Sequence, residues 1–203
     1  MSDAGLVTQI RSGIDKLADP KRAEGVRRAV PGARTNGAPV PRLRELAGRL
    51  KRGGDVADFE TACRVMDTLA KTGGREELLV GTFLVGAWPR EIKAMRWSRI
   101  APWLRRIDNW ETCDQLSAAV LATIVNAQPA LKSKLMTLAR SRNPWQRRLA
   151  IATAASLNQR GRSQPAITRA IIAAMKNDPD RKLRLAVGWT ERELAKAERR
   201  YSK

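Results

Sequence analysis

Along almost the whole chain, apolar residues recur three and four positions apart, and no convincing strand pattern interrupts them. The periodicity predicts about a dozen short helices, at 3–17, 20–30, 40–51, 56–71, 75–87, 90–96, 99–107, 110–127, 130–140, 144–158, 165–176 and 180–199. Proline stands repeatedly where a helix should begin: Pro20, Pro41, Pro89, Pro102, Pro129, Pro144, Pro165 and Pro179. It is tolerated in a first turn because its missing N–H had no partner there. Asp19, Asn143 and Asp178 precede such prolines as capping residues, and Asp108 or Asn109 is placed to cap the helix starting near Trp110. Glycines between Gly32 and Gly37, at Gly53–Gly54, at Gly73–Gly74 and at Gly161 separate the runs. The later helices pair naturally, 110–127 with 130–140 and 144–158 with 165–176. Two-helix units stacked in series make an α-solenoid. The expected fold is therefore all-α, a single domain over 1–203 built as an α-solenoid; a compact irregular helical bundle is the alternative.

Three tryptophans are each followed one helical turn later by a charged residue: Trp110 by Asp114, Trp145 by Arg148, Trp189 by Arg192. Residues three or four apart share a helix face, so each pair projects together. The tryptophans recur at intervals of 35 and 44 residues, close to the roughly 40-residue period of paired-helix repeats. Repetition of this kind places aromatic faces, guanidinium groups and one carboxylate on a common surface.

Charge sharpens the picture. Lys plus Arg number 39 against 20 Asp plus Glu, a net charge of +19. Such an excess repels itself in a compact fold, so a polyanionic partner is the natural reading, with strongly salt-dependent binding if that partner is phosphate-rich. A generally basic, solvated surface is the plainer alternative. Cys63 and Cys113 are too few for a disulfide framework, which suggests a reducing cytosol. There is no histidine. That excludes Ser-His-Asp and Cys-His catalysis, removes most zinc sites and takes away the commonest general acid–base. The start of the chain lacks an apolar signal core and carries acids, and no stretch approaches the roughly 20 apolar residues of a membrane span. The expectation is a cytoplasmic protein without metal or cofactor.

Three segments carry the candidate chemistry. In Ile107–Asp114, Trp110 and Asp114 lie near a helix start. Trp110 could simply anchor that helix, and Asp114 could be an ordinary first-turn acid favoured by the helix dipole. In Ser141–Arg148, Asn143-Pro144 is a strong helix start, and Arg147, Arg148 and nearby N–H groups could hold phosphates. Trp145 by itself reads as core. In Leu185–Leu194, Gly188 costs about 1 kcal/mol relative to alanine, which suggests close approach of another helix or a ligand. Leu185, Val187 and Leu194 read as core there. A basic helix follows the Arg34–Pro41 loop, and the basic tail Arg199–Lys203 is expected to fray.

These segments resemble the signature helices of the AlkD family of HEAT-like-repeat DNA glycosylases, which repair alkylated DNA. The family's Trp-x-x-x-Asp pair is matched by Trp110 and Asp114. Its Asn-x-Trp-x-x-Arg start is matched by Asn143, Trp145 and Arg148, and its Gly-Trp-x-x-Arg-Glu helix by Gly188, Trp189, Arg192 and Glu193. An N-terminal Gly-x-x-x-Pro-x-x-Arg element is matched by Gly37, Pro41 and Arg44. The four occur in the family's order and cover nearly the whole chain. Two departures stand beside them. The segment around Arg28 and Pro31 is basic and proline-broken where the family tends to be aromatic, and few residues follow the Gly-Trp helix where relatives usually carry more.

The resemblance implies stacked HEAT-like helical pairs and a monofunctional alkylpurine DNA glycosylase, a hydrolase of base excision repair. Its partner would be double-stranded DNA with alkylated bases, and the enzyme would be a cytoplasmic, nucleoid-associated monomer. Alkylation at N3 or N7 leaves a purine cationic, so its glycosidic bond breaks without a strong general acid. Positive charge then grows on the sugar, where a fixed carboxylate stabilises it. Asp114 is the candidate, kept ionised by nearby arginines. Trp110 and Trp189 would cradle the damaged nucleotide, and Arg148, Arg44, Arg147 and Arg192 would hold phosphates. The family works without the base flipping used by most glycosylases. The competing expectation is a catalytically inactive nucleic-acid-binding solenoid, since repeat folds host many functions.

Overall fold

Helices begin where the chain supplies partners for their unpaired N–H groups. In the computed structural model, which describes residues 2–30, 32–159 and 161–201, Ser2 caps α1 (Asp3–Asp15), Asp19 caps α2 (Pro20–Ala29) and Asp58 caps α4 (Phe59–Thr72). Between the last two lies α3 (Val40–Arg52), with Pro41 in its first turn. α5 (Arg75–Gly86) and the short α6 (Pro89–Ile92) follow. Then come α7 (Trp97–Leu104), α8 (Trp110–Leu116), a π turn over Ser117–Leu121 and α9 (Ala122–Ala127). A 3₁₀ turn at Pro129–Leu131 leads into α10 (Lys132–Ala139), and α11 (Pro144–Ser156), α12 (Pro165–Met175) and α13 (Arg181–Tyr201) complete the chain. Among the described residues there is no strand. The fold is all-α, and sequential helices pack as the stacked pairs of an α-solenoid within each of two compact units. Pro31, Ser202 and Lys203, named in the expectations above, lie outside the described residues.

The first unit runs from residue 1 to Glu91. There α5 packs on α3, α4 and α1 and is buried along most of its length. It places an ion pair in the interior: Arg75 Nη1 donates to Glu76 Oε1 at 2.6 Å, with the two side chains 1% and 5% exposed. The same Glu76 oxygen accepts from Thr35 Oγ1 and from the backbone N–H of Gly37. Gly37 has φ +83°, and a Cβ there would sit 2.1 Å from the Asp19 carbonyl oxygen. Only glycine fits that position. The loop leading into Pro41 and Arg44 is thereby pinned to the core.

The second unit runs from Ile92 to residue 203. Its helices form two rows. In one row α8 with its π turn packs on α11, and α11 packs on α13; in the other α10 packs on α12. Contacts of α10 with α11, α11 with α12 and α12 with α13 join the rows. Residues at intervals near 40 therefore fall on successive helices of one row.

Three local expectations change. Asp178 does not cap the last helix. That helix starts at Arg181, and Asp180 stands next to it, accepting from the Lys182 N–H. Pro102 lies inside α7 rather than in its first turn, because α7 starts at Trp97 and stops two residues after the proline. The missing N–H removes a helical hydrogen bond close to the helix end, where it costs least. Leu185 is not core but 60% exposed, since Val187 and Leu194 occupy the inward face of α13. No helix of the described residues is long and apolar enough to cross a membrane.

Removing Glu76 takes away the buried Arg75 ion pair and the acceptor of Thr35 Oγ1 and the Gly37 N–H, so Glu76→Ala should lower unfolding free energy by about 3–5 kcal/mol. Gly37→Ala should cost at least about 2 kcal/mol through the positive φ and the backbone clash. Urea unfolding of both variants measures this, and wild-type stability in either would contradict the pinned-loop account.

Candidate active site

The first turn of α11 is the part of that helix that reaches solvent. Asn143 Oδ1 accepts from the Trp145 N–H at 2.9 Å and starts the helix with Pro144 in its first position. Trp145, Gln146, Arg147 and Arg148 are partly exposed, and Leu149 through Ser156 are buried. Trp145 is thus a partly exposed residue and not a core one.

Arg148 reaches across to α8. Its Nε donates to Asp114 Oδ1 at 2.9 Å and its Nη2 to Asp114 Oδ2 at 2.7 Å. The two parallel bonds hold the carboxylate plane by both oxygens. Two further hydrogen bonds join the same helices: Cys113 Sγ donates to the Trp145 carbonyl at 3.6 Å and Ser117 Oγ to the Leu149 carbonyl at 3.3 Å. Asn109, not Asp108, caps α8 through the Thr112 N–H. The π turn follows within one turn of Asp114, with the Ala122 N–H reaching back to the Ser117 carbonyl. Such widened turns shift the helical register and concentrate at functional sites.

Electrostatics at Asp114 are a contest. Burial raises its pKa, the Arg148 hydrogen bonds and charge lower it, and the nearby Glu111 charge raises it again. The net direction is upward, so arginine alone does not set this carboxyl as expected: desolvation outweighs it. The two parallel bonds from Arg148 favour the ionised form at the pair. The side chain stays 23% exposed. A carboxylate has about four acceptor positions, so those not used by Arg148 remain within reach of solvent or a ligand. Burial drives the Cys113 thiol well above its usual value, which leaves it a packing residue and not a nucleophile.

The tryptophans separate by environment. Trp103 is 1% exposed and belongs to the core, whereas Trp110, at the first position of α8, is 47% exposed. Trp189 is partly exposed and Arg192 is exposed, both on α13. Thr190 Oγ1 on α13 lies 3.2 Å from the Ile151 carbonyl of α11 and 2.9 Å from the Ala186 carbonyl of its own helix, sharing one hydrogen between them. At Gly188 an added Cβ would meet only Arg192 Nη1, at 3.6 Å. No neighbouring helix requires glycine there, so close helix packing does not explain it.

Arg147 is engaged within the protein. Nε donates to Asp178 Oδ2 at 2.6 Å, Nη2 to Oδ1 at 3.3 Å, and Nη1 to the carbonyls of Ser141 and Arg142. It fastens the entry to α11 against the segment before α13. Arg44, in the first unit, is exposed on α3 with its guanidinium 4.7 Å from the centre of the Phe83 ring.

The second unit thus brings together Asp114 and Arg148 directly and places Trp110, Trp145 and Trp189 on successive helices of one row. Sequence reading missed the Arg147–Asp178 pair, the burial of Glu111 and the exposure of Leu185. The last was available from a helical wheel, where Leu185 falls with Trp189 and Arg192. Among the described residues no group of His, Cys, Asp and Glu could hold a metal ion.

The sequence matches the DNA alkylation repair enzyme family over residues 10–202. The chain belongs to that family. No curated relative matches it. Membership makes it an enzyme of DNA alkylation repair, and the match spans every residue of the α8–α11–α13 row named above.

In this alkylation repair enzyme Gly188 carries a helix cost that no protein contact demands. Gly188→Ala should therefore raise unfolding free energy by about 0.5–1 kcal/mol while weakening DNA binding. Denaturation and binding titrations on the same preparation measure both; a loss of stability would mean that the protein itself needs the glycine.

Proposed function

We propose that this DNA alkylation repair enzyme is a monofunctional glycosylase that hydrolyses the N-glycosidic bond of cationic N3- and N7-alkylpurines in duplex DNA. The observation that carries the reading is Asp114, a partly buried carboxylate held by both oxygens in the Arg148 fork, one turn from an exposed tryptophan.

The chemistry follows from charge. The alkylated base already carries a positive charge, and the bonding electrons move onto it as the glycosidic bond breaks, so it leaves neutral. The positive charge passes to the sugar. A carboxylate fixed before the reaction begins stabilises that charge without reorganising, and partial burial strengthens the interaction. Its remaining acceptor positions can orient the attacking water, whose oxygen bonds to the anomeric carbon while its proton leaves to solvent. Arg148 acts as a positioning residue, since both of its forked bonds go to Asp114. Trp110 and Trp189 offer π faces to the cationic nucleotide. Arg192, exposed on α13, is a phosphate contact of the second unit, and Arg147 supports it by fastening α11 to the segment before that helix. Arg44, exposed on α3, is a phosphate contact of the first unit. The protein acts as a monomer on DNA.

The direct test is duplex DNA with a single N7-methylguanine. The wild type should release the free base and leave an abasic site, with no borohydride-trapped adduct. Asp114→Asn should retain binding and lose about 10²–10³ in single-turnover rate. Equal release by both proteins would remove Asp114 from the mechanism.

The pH profile gives a second test. Asp114 must be ionised to act, and its pKa lies above the ordinary 3.8. Release should therefore fall as pH falls through a midpoint above that value. Arg148→Met removes the lowering influence, so its acid limb should move to still higher pH. A limb that moves down, or stays put, would mean that Arg148 does not act through Asp114.

A further inference from the structure

Helix α13 carries more on its outward side than Trp189 and Arg192. Its buried residues, among them Leu183, Val187, Thr190 and Leu194, define the inward face. At the pitch of an α-helix, Arg181, Leu185, Trp189, Arg192, Lys196 and Arg199 fall on the opposite side. Leu185 is 60% exposed. A lone exposed leucine is ordinary, but its surroundings here are not. One turn along, Gly188 leaves the helix backbone bare, with only the Arg192 guanidinium near the space a Cβ would fill. One turn before Leu185 stands Arg181, and two turns after it Arg192; among the described residues neither makes an ion pair.

An apolar side chain between two uncompensated guanidiniums, beside a bared stretch of helix and a tryptophan, is complementary to duplex DNA. Phosphates line the rims of a groove whose interior presents apolar deoxyribose faces and base edges. Leucine is among the side chains that proteins press against or between base steps. A protein partner would instead offer carboxylates to the arginines; the net charge of +19 and the membership in a DNA alkylation repair family favour DNA.

We propose that Leu185 is a DNA-contacting residue, packing against sugar and base edges next to Trp189 while Arg181 and Arg192 hold the flanking phosphates. This extends the DNA-facing role given to Trp189 in the proposed function and does not require base release. Leu185 supplies the part of the affinity that salt does not screen, because its contact displaces water and no counterion.

The experiment is a salt titration of binding to a labelled duplex carrying a tetrahydrofuran abasic analogue. Leu185→Ala should raise Kd about tenfold at every salt concentration, leaving the slope of log Kd against log salt unchanged. Arg192→Ala and Arg181→Ala should each lower that slope by about one. Leu185→Met should bind like the wild type. All four variants change exposed positions, so their thermal midpoints should match the wild type. Wild-type affinity in Leu185→Ala, or a changed slope there, overturns the inference. A wild type that binds DNA but releases no base defeats the glycosylase reading and leaves Leu185 to stand or fall on its Kd. Absence of salt-sensitive DNA binding by the wild type overturns both.

Discussion

From Leu149 to Ser156 helix α11 has no solvent face. It is packed by α8 and the π turn, by α13, and by α10 and α12 of the other row. A helix enclosed in this way must be apolar or small all round, and the segment Leu-Ala-Ile-Ala-Thr-Ala-Ala-Ser meets that demand. Its small side chains leave room for the Ser117 and Thr190 hydroxyls to come within hydrogen-bond distance of its carbonyls. Its own Thr153 is satisfied by the Leu149 carbonyl. Enclosure leaves the first turn as the place where α11 can display charge. Arg147 and Arg148 both stand in that turn, one tied to the segment before α13 and the other to α8. Consecutive residues point about 100° apart on a helix, so two adjacent arginines can brace two different neighbours.

That bracing decides the electrostatics of the row. The chain carries a net charge of +19, yet the two arginines near the start of α11 are both compensated. Arg148 is matched by Asp114 and Arg147 by Asp178, with side chains mostly covered. On α13, Arg192 and Arg181 are exposed and make no ion pair among the described residues. Under the proposed reading, Asp114 gains selectivity from the same balance: Arg148 holds its plane, while partial burial strengthens its field on a nearby sugar.

Spacing along the chain was enough to bring Trp110, Asp114, Trp145, Arg148, Trp189 and Arg192 to notice, because helical periodicity and the repeat interval both survive in sequence. It could not tell which tryptophan is buried: Trp103 has the same side chain as Trp110 and opposite exposure. Nor could it show that Arg148 and Asp114 meet, since 34 residues separate them. The π turn is equally silent in composition, being a one-residue shift in hydrogen bonding within a segment that reads as one helix over 110–127.

Legible in the chain alone were the all-α class, five helix starts at Pro20, Pro41, Pro89, Pro144 and Pro165, two of them with the caps Asp19 and Asn143, and the order of the chemistry-bearing residues. These depend on contacts within a few residues, where side-chain type and backbone geometry act directly. The tertiary structure alone decided the partners: Asp114 with Arg148, Asp178 with Arg147 instead of a helix cap, and Leu185 facing outward. Which face of a helix is covered, and which charge is desolvated, depends on the neighbour packed against it, and that neighbour lies far away along the chain.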